Sequence, residues 1–204
     1  AGPRAHGRVD LGQPVAALAQ IQSAGQLQPG AREVKRGRAL VRRIQRRTRA
    51  VPPGARERFQ RAMTLLRDED KASECLRLVE ELVLEYPNFP GGHTMVGLAQ
   101  LRLANPAEAV VALRRAESLN PLDATNPFYL ALIYHKRQRW DDTAKLLEQA
   151  LRVDPFHQRA LKLLGDVWLR TSQFKRAAAL HDRLIALDPD EKAHLRMAAR
   201  AHHA

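Results

Sequence analysis

The stretch AESLNPLDA, Ala116–Ala124, runs a leucine-bearing helical pattern into an Asn-Pro pair. Variants of it return as ALRVDPFHQ (150–158) and LIALDPDEK (184–192). The residue before a proline resists the α region, so each such pair closes a helix. The prolines involved are Pro53, Pro87, Pro121, Pro155 and Pro189, each 34 residues from the next. A fixed period of this size is the mark of stacked structural repeats.

Other positions fall into the same register. With the proline as residue 32 of 34, units begin at Arg56, Pro90, Ala124 and Gln158. Position 8 then holds Met63, Gly97, Ala131 and Gly165, and position 20 holds Cys75, Ala109, Thr143 and Ala177. Position 27 holds Leu82, Ala116, Ala150 and Leu184. Larger groups stand at position 11 (Leu66, Gln100, Tyr134, Trp168) and in part at position 17 (Ala72, Pro106, Trp140, Phe174). Small residues where backbones meet and bulky ones where a gap must be filled suit an antiparallel helix pair.

On these residues the chain resembles the tetratricopeptide repeat (TPR) family over 56–191. The resemblance implies an all-α, right-handed superhelical solenoid of four helix–turn–helix repeats, 56–89, 90–123, 124–157 and 158–191. Departures are His93, Pro127 and Leu161 at position 4, where the family often has Trp, and Gln100 in place of an aromatic. The first repeat is the poorest match.

Turn chemistry supports the same layout. Asn105 is expected as an N-cap with Pro106 at N1 and Glu108 at N3. Asp141 and Asp142 suit the first turn of a helix, facing its dipole. Ser172 is a further expected cap, and Asn126 with Pro127 predicts a late start for the first helix of the third repeat. Residues 192–204 read as a C-terminal capping helix that covers the last hairpin. Residues 1–30 read as loose, with a short helical candidate at 14–22. Residues 31–50 read as a basic amphipathic helix, with Val34, Leu40, Val41, Ile44 and Thr48 on one face. It is expected to dock on the first repeat or on a partner.

Composition agrees. The 204 residues are 45% hydrophobic and only 5% aromatic, a balance that favours Ala/Leu helical cores over β-sandwiches. No run of about 20 apolar residues is present to span a bilayer, and a cytoplasmic location is expected over a periplasmic one. The single Cys75 excludes an intrachain disulfide. Net charge is +12. Nine basic residues, Arg32, Lys35, Arg36, Arg38, Arg42, Arg43, Arg46, Arg47 and Arg49, stand against Glu33 alone in 31–49. That segment therefore carries most of the excess.

Catalytic signatures are missing from the sequence. Gly92 and Gly97 have P-loop spacing, but Leu98 and Ala99 follow where Lys and Ser/Thr would be needed. The pairs Glu80/Glu81 and Asp141/Asp142 are neighbours on helices and point apart. The eight histidines include no pair at i, i+4, so neither a metal nor another cofactor is expected. Cys75, at a small packing position, reads as a buried inert thiol.

Function is therefore expected from binding. The resemblance implies that first helices line a concave face, with positions 2, 5, 9, 12 and 13 toward it. This gives a groove with an apolar middle of Leu98, Leu101, Phe128 and Leu132. Arg102, His135, Lys136, Arg159, Lys162 and Arg170 supply its charge, with a basic end at the last three. Such a groove suits a peptide or helix of another protein with apolar anchors and acidic character. The Lys/Asn pattern with which one subfamily grips a C-terminal carboxylate is missing at Gln60, Thr64 and Thr94. A non-enzymatic scaffold for a larger complex is the leading expectation. The others are the repeat part of a larger enzyme or secretion component, and a nucleic-acid or anionic-surface binder through 31–49. No aromatic is interleaved in 31–49, so base stacking has no support there.

Overall fold

A computed structural model describes residues 38–39, 41–43 and 50–187. The expectations for 1–30, for the capping helix at 192–204, and for Arg32, Lys35, Arg36, Arg46, Arg47 and Arg49 lie outside the described residues. Helices come in antiparallel pairs: α1 (Arg56–Leu65) with α2 (Ala72–Glu85), α3 (Pro90–Arg102) with α4 (Pro106–Leu119), α5 (Thr125–Lys136) with α6 (Trp140–Val153), and α7 (Gln158–Arg170) with α8 (Phe174–Leu187). Each helix packs chiefly on its neighbours in sequence, as in a solenoid. No strand occurs among the described residues.

Helix α6 shows why these segments are helical. Asp141 and Asp142 sit in its first turn and Arg152 in its last, each favourable with the helix dipole. Thr143, Leu146, Leu147 and Ala150 recur at helical spacing and are all buried. Thr143 fits a small, apolar position because its hydroxyl donates to the Arg139 carbonyl at 2.8 Å. Positions 20 and 27 are fully buried in all four hairpins: Cys75, Ala109, Thr143, Ala177, then Leu82, Ala116, Ala150 and Leu184.

Position 8 is where paired helices approach most closely. A Cβ built on Gly97 would stand 2.7 Å from Cγ of Leu113, and one on Gly165 would stand 2.9 Å from Nε2 of His181. The first hairpin departs. Met63, expected at this contact, is 43% exposed, while Ala62 is fully buried and its carbonyl accepts from the Cys75 thiol at 3.3 Å. The close contact there spans thirteen residues, Ala62 to Cys75, against twelve from Gly97 to Ala109. Helix α1 is thus shifted one residue relative to its partner. The longer connection, with a 3-10 turn at Glu69–Lys71, absorbs the extra residue.

The other three hairpins turn on one repeated device. Ala104, Gln138 and Ser172 have φ of 59°, 57° and 58°, and they are 34 residues apart. Each follows a Schellman-type helix end: Asn105, Arg139 and Gln173 donate backbone N–H groups to Gln100, Tyr134 and Trp168 carbonyls at 2.9, 3.1 and 2.7 Å. Of the expected caps, one is corrected by this geometry and one keeps its place without a cap bond. Ser172 is the left-handed turn residue, and α8 begins two residues later at Phe174. Asn105 stands at the N-cap of α4 but makes no side-chain cap bond; its amide donates to Oε1 of Gln100 at 3.0 Å. That bond satisfies the buried Gln100, which stands where the resemblance implies an aromatic. The late start expected from Asn126 and Pro127 is corrected too, since α5 begins at Thr125; Asn126 has another task. It lies inside the first turn of α5, fully buried, with Oδ1 2.9 Å from the Thr94 hydroxyl of α3.

Between hairpins, the residue before each proline is extended: Tyr86, Asn120 and Asp154 have φ of −124°, −142° and −130°. Asn120 and Asp154 also accept from the backbone N–H groups of Leu122 and Phe156 at 3.2 and 3.1 Å. These Asx turns hold the chain as it enters the next hairpin.

Two substitutions test this reading by urea denaturation. Gly97→Val forces a branched side chain into Leu113 and should cost roughly 1–3 kcal/mol. Ala104→Gly removes the left-handed penalty on a residue with a Cβ and should stabilise by roughly 0.5 kcal/mol after the entropic cost of glycine.

Candidate functional site

The first helices of the second and third hairpins, α3 and α5, enclose a pocket of about 460 Å³ with the turn after α3. Its apolar wall comes from Leu101, Ala104, Pro106, Tyr129, Leu132 and Ile133, and its mouth from His135, Lys136 and Arg137. The turn device of the fold is part of the site, because the left-handed Ala104 and the helix-opening Pro106 both line it.

Four of the expected groove residues meet in this pocket: Leu101, Leu132, His135 and Lys136. Leu101 and Leu132 are half-buried and also pack on the main core. Leu98 packs on the core of the first two hairpins. Arg102 is exposed nearby on α3. Phe128, expected as a central groove anchor, is corrected: it is 2% exposed and belongs to the main core. The Arg159 guanidinium covers its ring at 4.9 Å, and His157 packs beside it with ring centroids 4.7 Å apart. A partner reaching that place meets the Arg159 guanidinium and not the phenyl ring.

The basic end is organised by a residue the sequence reading did not assign to the site. Trp140 receives His135 edge-on at 5.2 Å and the Arg170 guanidinium over its ring at 5.7 Å. Its place at bulky position 17 identified it as packing, and nothing in the sequence showed which groups it would gather. Lys162 lies on the same helix as Arg170 and is half-buried. Among them stands one acid, Asp166. Burial pushes its carboxyl above the ordinary range, opposed by the charges of His181, Arg170 and His135. Lys136 and Arg137, at the pocket mouth, pair with no carboxylate among the described residues. Ala104, Pro106, Tyr129, Ile133 and Arg137 are the wall and rim residues that sequence reasoning missed.

The basic segment is visible in part. Arg38 is half-buried, and Arg42 and Arg43 are exposed. Cys75 is buried, its thiol raised in pKa by desolvation, as expected of an unreactive cysteine. No group of three or more His, Cys, Asp or Glu suited to a metal occurs among the described residues. None of the described helices is long and apolar enough to cross a membrane.

Comparison with known proteins agrees with this architecture. The profile described as tetratricopeptide repeat matches residues 130–192. No curated protein sequence matches the chain. Among solved structures, the thermophilic TPR protein TTC0263 of Thermus thermophilus aligns over 94% of this chain and 98% of its own, with 19% identity and a TM-score of 0.60. MamA from Desulfovibrio magneticus RS-1 aligns over 76% of this chain and 86% of its own, with 20% identity and a TM-score of 0.63. The complex of Naa15/Naa10 bound to HypK-THB contains a chain matching 72% of this one over 22% of its own, at 14% identity and a TM-score of 0.63. The chain is therefore a TPR solenoid in fold, with the repeat itself matched in sequence over 130–192.

Asp166 gives a pH test. A carboxyl whose folded pKa is raised contributes stability below its unfolded pKa and loses that contribution as pH rises through the folded value. At neutral pH, Asp166 therefore costs stability. Asp166→Asn should raise Tm at pH 7, and thermal melts should show the difference narrowing as pH falls toward about 3.9.

Proposed function

We propose that this TPR solenoid is a non-enzymatic scaffold that holds a segment of another protein on the face formed by its first helices and so supports assembly of a larger complex. The observation that carries this reading is the pocket between α3 and α5. It is large enough for one bulky apolar side chain. Lys136 and Arg137 at its mouth are cations without a described acidic partner, suited to carboxylates beside that anchor. Leu101 and Leu132 supply the apolar floor; Lys136 and Arg137 supply charge beside the His135 imidazole; Arg102, Arg159, Lys162 and Arg170 extend the positive surface along the groove. A fold neighbour in complex with another protein, Naa15/Naa10 with HypK-THB, supports the use of such solenoids in assembly.

Binding through residues 31–49 to nucleic acid or an anionic surface is the competing reading, supported by the exposed Arg42 and Arg43. Affinity capture from the native lysate separates the two, with and without nuclease, at low and high salt. The wild type is run beside Lys136→Glu/Arg137→Glu and Arg42→Glu/Arg43→Glu. A protein retained after nuclease treatment, and reduced at least about tenfold by the pocket-rim pair alone, is the expected result, since reversing two rim charges turns attraction into repulsion. Retention that survives the rim variant but fails with Arg42→Glu/Arg43→Glu and at high salt would move the function to the basic segment.

A further inference from the structure

Val41 precedes the first hairpin by fifteen residues, yet it does not pack there. It is 4% exposed and shares an apolar cluster with Phe156 and Leu187. Phe156 lies in the turn between α6 and α7, and Leu187 ends α8. The expected docking of this segment on the first repeat is thus replaced, at Val41, by a seat at the other end of the solenoid. Ten residues further on, Val51 packs against Ala55, Leu82 and Phe89, where the first hairpin passes into the second. Both seats are made from ends of second helices, starts of first helices and the turns between them. They therefore lie on the same edge of the stack, two repeats apart.

The seat at Phe156 is well built. Pro155 and Phe156 are buried. The turn is pinned to α8 by the Arg183 guanidinium, which donates to the Pro155 carbonyl at 2.7 Å. The Asp154 carboxylate accepts from the Phe156 N–H. Residues 38–39 and 41–43 are helical, and Arg42 and Arg43 face solvent while Val41 faces in. A ten-residue connection reaches up to about 33 Å, which is ample to pass two hairpins whose helices pack roughly 8–10 Å apart.

We propose that this turn edge is an intramolecular docking surface, and that its occupant is the chain's own basic N-terminal segment, anchored by Val41 between the third and fourth repeats. Solenoid repeats otherwise contact only their neighbours. A strap seated at both ends of the stack adds a contact that neighbouring repeats cannot make, and it limits how far the superhelix can flex. It also separates two surfaces: the segment holds the turn edge, and the pocket on the first-helix face stays open to a partner.

Hydrogen exchange on the full chain tests this. In Val41→Asp, the amides of Asp154, Phe156 and His157 and of the last turn of α8 should exchange about tenfold or more faster than in the wild type, because a buried valine anchor is lost. Amides of α3 and α4 should be unchanged. Arg42→Ala/Arg43→Ala, altering only exposed groups, should match the wild type everywhere. Equal exchange at Asp154, Phe156 and His157 in Val41→Asp and wild type would overturn the proposal. A crosslink keeps the test open if that variant fails to fold. Val41→Cys/Leu187→Cys in a Cys75→Ala background should give a crosslinked monomer with a short bismaleimide. No product, or a product joining two chains, would sink the intramolecular strap.

Discussion

Three of the four hairpins pivot on a single residue held at positive φ, and much of the remaining architecture follows from it. Ala104, Gln138 and Ser172 each let the chain leave one helix through a Schellman-type end and begin the next two residues later. A connection this short fixes how paired helices meet. It brings Gly97 against Leu113 and Gly165 against His181, and aligns positions 20 and 27 in the core. Where the device is missing, in the first hairpin, the register moves by one residue and Ala62 takes the place intended for Met63. The left-handed penalty, on the order of 1–2 kcal/mol per residue with a Cβ, is offset by burial of leucines such as Leu113 and Leu147, worth about 1.5–3 kcal/mol each.

The same constraint shapes the binding face. Because the turn after α3 is short, Ala104 and Pro106 stand beside α5 and close one side of the pocket that Leu101 and Leu132 floor. Polar substitutions inside the stack follow a related logic. Gln100 is tolerated at an aromatic position because Asn105, just past the turn, meets its side chain. Tyr134 and Trp168, at the same repeat position, carry Arg139 and Arg176 over their rings at 4.9 and 4.2 Å. The groups that roof position 11 thus arrive from the start of the next helix, and their identity changes with the residue they cover.

The repeat was legible in the sequence because it is written in residues with strong backbone or volume consequences: prolines at a fixed interval, and small side chains where helices touch. The turns were not, since Ala, Gln and Ser do not announce a positive φ as glycine would. Helical phase put Leu101, Leu132, His135 and Lys136 together, as the one pocket they line requires, but phase gives direction without depth. Phe128 was assigned to the groove by the same phase and is covered by Arg159. Trp140 was visible only as a bulky packing group, because its role depends on the His135 ring and the Arg170 guanidinium, from two hairpins. The seat of Val41 had no sequence signal at all: an apolar stripe records that something will be covered, not what covers it.

The seat has a consequence for how the molecule is made. Contacts within and between hairpins join residues a few tens of positions apart, so each hairpin can close soon after it is synthesised. Val41 must instead find Phe156 and Leu187, 115 and 146 residues later in the chain. At translation speeds of about 5–20 residues per second, the last of these emerges roughly 7–30 seconds after Val41. Until then an apolar side chain followed by two arginines waits without its site. The segment that leads into the stack is thus among the last to settle.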